Sequence, residues 1–201
     1  MIGLIGCALL LVNSVMTVTY SHRYSLRSRR ILFLIASLLA FLPLKGLSVA
    51  GYVRGVTGDV SVTTFILLMG ASISLLYDKE LYDGQSFFVL MLLVMGGAIF
   101  LYPFALGLTY FDSYSLGYGS KLFIVALFLL SLTVWYLELY LVVFCVVLGV
   151  IAYLAQTYES RNLWDYLIDP LITFYALFWL MTKVIRQISQ ASLARTRPQA
   201  S

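Results

Sequence analysis

The sequence predicts an all-α fold, a polytopic bundle of transmembrane helices, on three observations: its composition, the length of its apolar runs and the placement of its basic residues. Hydrophobic residues fill 62% of 201 positions and charged residues only 11%, with a mean hydropathy of +0.96. A soluble domain is about half apolar and about a quarter charged. No water-soluble fold covers that much apolar surface. A β-barrel would need short segments of alternating polarity, whereas unbroken runs such as Phe87 to Phe100 leave helices as the spanning element.

A spanning helix takes about 20 mostly apolar residues. The candidate runs are 1–20, 31–53, 60–77, 86–108, 121–135, 138–156 and 169–186. Five are plain. The stretch 121–156 is too long for one span at about 1.5 Å per residue and is interrupted at Trp135, Tyr136, Glu138 and Tyr140, where a tight hairpin divides it. Met1–Tyr20 has no basic n-region and no small-residue cleavage site, so it reads as a retained first helix rather than a signal peptide. Pro43, followed at once by Lys45 and Gly46, predicts a kink in the second helix. Pro103 predicts a bend near the outer end of the fourth, and Gly96-Gly97 a smooth face for close helix packing.

Charge placement orients the bundle. With seven spans and the N-terminus outside, Arg23, Arg27, Arg29, Arg30, Lys79, Lys183, Arg186, Arg195 and Arg197 all fall on the inner side, and only Lys45, Arg54, Lys121 and Arg161 do not. A six-span count would strand either the first basic loop or the basic tail on the wrong face. The positive-inside bias therefore favours seven spans, N-out and C-in, over five or six. One helical domain, 1–186, is expected to precede a basic, disordered cytoplasmic tail, 187–201. The same clustering explains the net charge of +4 without a nucleic-acid partner. Cys7 and Cys145 sit inside apolar runs as small hydrophobes, so no disulfide is expected.

This topology gathers the polar residues at the outer face. Lys45, Arg54, Asp59, Asp112, Arg161, Asp165 and Asp169, with Glu159, form a candidate polar site, and Tyr110, Tyr114, Tyr118, Trp164 and Tyr166 are candidate aromatic contacts. Ring faces and carboxylates together suit a sugar, a lipid headgroup or another protein; an interfacial aromatic belt with ordinary loop charges has the same composition. Within Tyr52-Val-Arg54-Gly-Val-Thr-Gly58-Asp59-Val-Ser61-Val-Thr63-Thr64, two glycines permit a turn across which Arg54 and Asp59 pair, as a candidate ligand or ion site, and Asp59 is placed to cap the next helix. Asp165 and Asp169 stand four apart, the spacing of a metal or proton site on a continuous helix. Pro170 breaks that continuity and makes Asp169 an N-cap, with 162–166 as a short interfacial segment. Asn13 reads as an interhelical hydrogen bonder, and Glu138 as a hairpin charge at the inner interface.

Several chemistries are excluded. The one histidine, His22, lies in the basic inner loop, so neither a histidine-based nucleophile triad nor a histidine-containing zinc site can be built. There is no phosphate-binding glycine loop and no cysteine pair at metal spacing. No metal or cofactor is expected. What remains is a non-enzymatic accessory subunit or small carrier of the cell envelope, set in a bacterial inner membrane. Its partners would be the bilayer and other envelope proteins. The alternative is a membrane-embedded enzyme at the outer leaflet acting on a lipid-linked or glycan substrate.

Overall fold

Small polar residues mark several helix starts. In the computed structural model, which describes residues 2–107 and 111–196, Ser25, Ser48, Ser61 and Asp83 accept hydrogen bonds from the backbone N–H groups of Ser28, Gly51, Thr64 and Ser86. They thereby cap α2 (Leu26–Ala40), α3 (Val49–Thr57), α4 (Val62–Tyr77) and α5 (Gly84–Ala105). Each cap pairs a donor that a helix N-terminus otherwise leaves orphaned. The remaining described helices are α1 (Ile2–Val18), α6 (Lys121–Tyr136), α7 (Tyr140–Leu154), the one-turn α8 (Trp164–Leu167) and α9 (Pro170–Thr196).

The chain is mostly helical. Two helices, α5 and the Pro170–Gln190 part of α9, are long and apolar enough to cross a membrane, while the apolar helices α1, α4, α6 and α7 are shorter. The 16 residues of α4 rise about 24 Å. α9 continues to Thr196 and so takes in the first part of the 187–201 segment; residues 197–201 lie outside the described residues.

Pro43 does more than kink a helix. The expected span 31–53 is two helices, α2 and α3, separated by a hairpin in which Pro43–Leu44 pairs antiparallel with Leu47–Ser48. Lys45 and Gly46 adopt left-handed φ values of 50° and 95°, which match a two-residue hairpin turn. Proline offers no N–H to the helix and restrains the residue before it, so the helix ends rather than bends. Pro103, by contrast, lies inside the last turns of α5. The 121–156 stretch divides at 137–139, where Glu138 takes a φ of 59° and Leu139 N–H donates back to the Val134 carbonyl at 2.9 Å.

The core has two parts that share α4. α1, α2 and α3 pack through small side chains, Ala8, Val12, Ala36, Ala40 and Ala50, while α4 to α9 enclose a larger core centred on Met91, Val142, Cys145, Leu163 and Tyr166. Asn13 joins α1 to α4, its Nδ2 donating to Ser72 Oγ at 2.9 Å and to the Leu68 carbonyl at 3.3 Å. Between the two parts, a groove of about 800 Å³ runs along α4 with α1 on one side and α9 on the other, lined among others by Leu10, Leu67, Ala71, Tyr175 and Trp179.

The ends of the bundle differ in charge pairing. At one end Arg29 donates to both Asp78 carboxylate oxygens, at 2.7 and 2.9 Å, tying α2 to α4. At the other end lie the hairpin, the 58–61 connection and the segment from Ala155 to Asp169. The 162–166 part of that last segment is not laid along the surface as expected. Asn162, Leu163, Trp164, Tyr166, Leu167 and Ile168 are all buried, because Gly97 of α5 and Gly149 of α7 leave room for it: a Cβ on either would come within 2.5 Å of Ile168 Cδ1 or 2.7 Å of Leu167 Cδ2.

Candidate functional site

The buried connection before α9 and the N-terminus of α4 meet at Asp169. Its Oδ1 accepts from Ile172 N–H at 2.8 Å, the N-cap contact of α9. Its Oδ2 accepts from Ser61 N–H and from Thr64 Oγ1–H, both at 2.6 Å. One carboxylate therefore sits at two helix N-termini, where the exposed N–H groups and helix dipoles favour negative charge. The residue is only 6% exposed, so these donors replace the water it has lost.

Asp59 does not cap α4. Ser61 does, its hydroxyl accepting from Thr64 N–H at 3.1 Å, because the chain stays extended for two residues beyond Asp59 before the helix begins. Asp59 instead pairs with Arg54, from Nε at 2.6 Å and Nη2 at 3.0 Å, a two-pronged contact across the Gly58 turn. Nη2 also reaches Glu159 Oε1 at 2.9 Å, bringing in the segment after α7. The hydrogen bond to Asp59 pushes the Arg54 guanidinium above its ordinary range, against the opposing effect of partial burial.

Asp165 and Asp169 take different hydrogen-bond partners. Asp165 Oδ2 accepts from Tyr114 Oη at 2.9 Å and from Ser160 Oγ, which holds the 111–120 loop onto the segment after α7. Burial, and then that hydrogen bond, raise the Tyr114 phenol above its usual range. Asn162 extends the same joint, donating to the Tyr114 carbonyl at 2.8 Å and accepting from Trp164 N–H at 2.9 Å.

The aromatic candidates divide by exposure. Trp164 is buried, donates from Nε1 to the Ser113 carbonyl at 3.0 Å and packs on Phe123 with ring centroids 4.4 Å apart. Tyr166 is buried, stacks on Tyr158 at 4.9 Å and donates to the Ser160 carbonyl at 3.0 Å. Burial raises the Tyr158 phenol, and the nearby Asp59 and Asp169 add to that shift. Trp164 and Tyr166 are turned into the core rather than onto the surface where aromatic contacts were expected. Tyr114 is half-buried and Tyr118 exposed, the two rings meeting edge to face at 5.6 Å; Tyr110 lies outside the described residues.

Lys45 at the hairpin tip, Asp112 and Arg161 are exposed. Asp112 Oδ1 accepts from Tyr114 N–H at 2.9 Å. Among the described residues neither Lys45 nor Arg161 forms an ion pair within 4 Å. The sequence reading missed Ser61, Thr64, Ser113, Ser160 and Asn162 as members of this joint. Ser61-Val-Thr-Thr64 carried a visible capping pattern; Ser160 bonds locally to Asp165, and Ser113 and Asn162 are polar residues with partners about 50 positions away in sequence.

Comparison with family models, with curated proteins and with solved structures returned no match. Among the described residues, no group of three or more His, Cys, Asp or Glu side chains is arranged to hold a metal ion.

Proposed function

We propose that this chain is a multi-pass integral membrane protein of the cell envelope, set in a bacterial inner membrane, and that it serves as a non-enzymatic accessory subunit. The observation that carries the reading is the employment of its carboxylates. Both oxygens of Asp59 and Asp169, and one of Asp165, hold chain segments together. General acid–base or metal chemistry needs a carboxylate that is free to meet a substrate proton or an ion. Lys45, Asp112, Tyr118, Glu159 and Arg161 are left exposed at the same end, a polar and aromatic rim suited to a neighbouring envelope protein.

The membrane reading draws on the composition, on the two long apolar helices and on side chains that a soluble monomer would bury. Leu34, Leu38, Phe128, Phe144, Phe174 and Phe178 are all exposed, an apolar surface far beyond isolated patches. Helices carry their backbone hydrogen bonds internally, so lipid can cover such faces without orphaning polar groups.

The test is complementation of a deletion strain with Asp59→Asn, Asp165→Asn and Asp169→Asn, scored against the amount of folded protein in the membrane. An accessory subunit predicts that function follows folded level in all three. A variant present at the normal level but without function would support the alternative, an outer-leaflet enzyme acting on a lipid-linked or glycan substrate.

A further inference from the structure

The turn joining α6 to α7 places three aromatic rings and a carboxylate around one concavity. Leu132, Trp135 and Tyr136 share a face of α6 at the i, i+3, i+4 spacing, and Tyr140 opens α7. With Glu138 between them they line a pocket of about 390 Å³, within the range of small-molecule sites, about 300–1,000 Å³. Trp135 is 61% exposed and Tyr136 86%. No basic side chain lines the pocket, so Glu138 gives it a net negative charge.

Glu138 also occupies an unusual backbone position. It follows α6 with a left-handed φ of 59°, the helix-ending conformation in which glycine pays least. Asp78 ends α4 in the same way, at a φ of 53°, but its carboxylate is neutralised by Arg29 at 2.7 Å. Glu138 has no cation within 4 Å among the described residues. A carboxylate held at a conformational cost, without a counter-ion among the described residues and sharing one pocket lining with three aromatic side chains, has the composition of a cation-binding site: ring quadrupoles attract a weakly hydrated cation, and the carboxylate supplies the opposing charge.

We propose that this pocket binds an organic ammonium group, carried by a lipid headgroup or by a small soluble cation. The site is separate from the polar joint at the other end of the bundle and does not depend on the accessory-subunit reading. An aromatic belt that only positions the hairpin at a bilayer surface would have the same rings but no ammonium affinity.

The full chain in maltoside detergent would be titrated with choline at constant ionic strength, following tryptophan fluorescence. Wild type is expected to give a saturable change, and Glu138→Gln and Tyr136→Leu each to weaken it at least tenfold. Glu138→Gly separates the site from the turn, since glycine relaxes the left-handed conformation: the variant should melt no lower than wild type yet lose the response. Nanodiscs of phosphatidylglycerol with or without phosphatidylethanolamine, analysed by native mass spectrometry, identify the source. Retention of the amine lipid by wild type but not by Glu138→Gly assigns a headgroup; choline binding without lipid retention assigns a soluble cation. Absence of both choline saturation and amine-lipid retention, or a choline response that Glu138→Gly leaves unchanged, would overturn the proposal.

Discussion

Asp169 and Asp165 carry the same functional group and should respond differently to the same substitution. Asp165 uses one oxygen for both of its donors, so the carbonyl oxygen of an asparagine can accept both bonds, and Asp165→Asn should keep nearly full stability. Asp169 uses one oxygen for α9 and the other for α4. Asparagine caps a single helix as well as aspartate does, but its NH₂ group would face the Ser61 N–H, donor against donor. Asp169→Asn is therefore expected to cost about 1–3 kcal/mol, the penalty for one buried donor left unpaired. Asp169→Ala also loses the α9 cap and should cost about 1 kcal/mol more. Thermal unfolding of the purified variants checks the order; equal losses from both asparagine variants would contradict the bridging role. Asp78 gives a pH dependence of defined sign. The hydrogen bonds from Arg29, reinforced by its charge, hold the Asp78 carboxyl below its ordinary range, so the folded chain releases this proton more readily than the unfolded one. The stabilisation is present above the ordinary carboxylate pKa, about 4, and is lost as pH falls through the lower folded value. The drop in melting temperature between pH 6 and pH 3 should be smaller in Asp78→Asn than in wild type.

The segment from Ala155 to Asp169 shows which elements could be read from sequence. Asp169-Pro170 was legible as a helix start because proline fixes φ and needs no N–H partner at the first helical position, and the Arg54–Asp59 pairing was legible because both residues flank one short turn. The burial of Trp164 and Tyr166 was not. Short polar segments between apolar runs usually lie at a surface, and this one is drawn inward by glycines on α5 and α7 and by Ser113, about 50 residues away. Pro43 likewise marked a disruption, but the hairpin that replaces the kink depends on Lys45 adopting a left-handed φ, which residue type alone does not announce. The packing makes a prediction at this scale. Trp164→Ala removes a buried indole packed against Phe123 and its hydrogen bond to the Ser113 carbonyl, so it should cost about 3–5 kcal/mol. That is far more than Tyr118→Ala, an exposed ring on the adjoining loop. Similar melting temperatures for the two variants would contradict the inward packing of this segment.

At the scale of the molecule, the charge sidedness of the sequence and the two ends of the bundle support the proposed arrangement. The Arg29–Asp78 pair and the start of α5 lie at one end; the Asp169 joint, the hairpin and the Arg54 network lie at the other. Placing the first end in the cytoplasm puts the Arg23–Arg30 loop and the basic C-terminus on the side that the positive-inside bias prefers. Seven passes, N-out and C-in, is the count we propose, because it would allow both. In that proposal four of the six apolar helices among the described residues are shorter than a full hydrocarbon crossing, the 15-residue α2 would supply the seventh pass, and local bilayer thinning would absorb the mismatch. The most direct measurement is a pair of topology reporters, one fused after Arg30 and one at the C-terminus, each read as an active cytoplasmic or an active external enzyme. The seven-pass arrangement predicts cytoplasmic activity from both; external activity from the C-terminal fusion would contradict it.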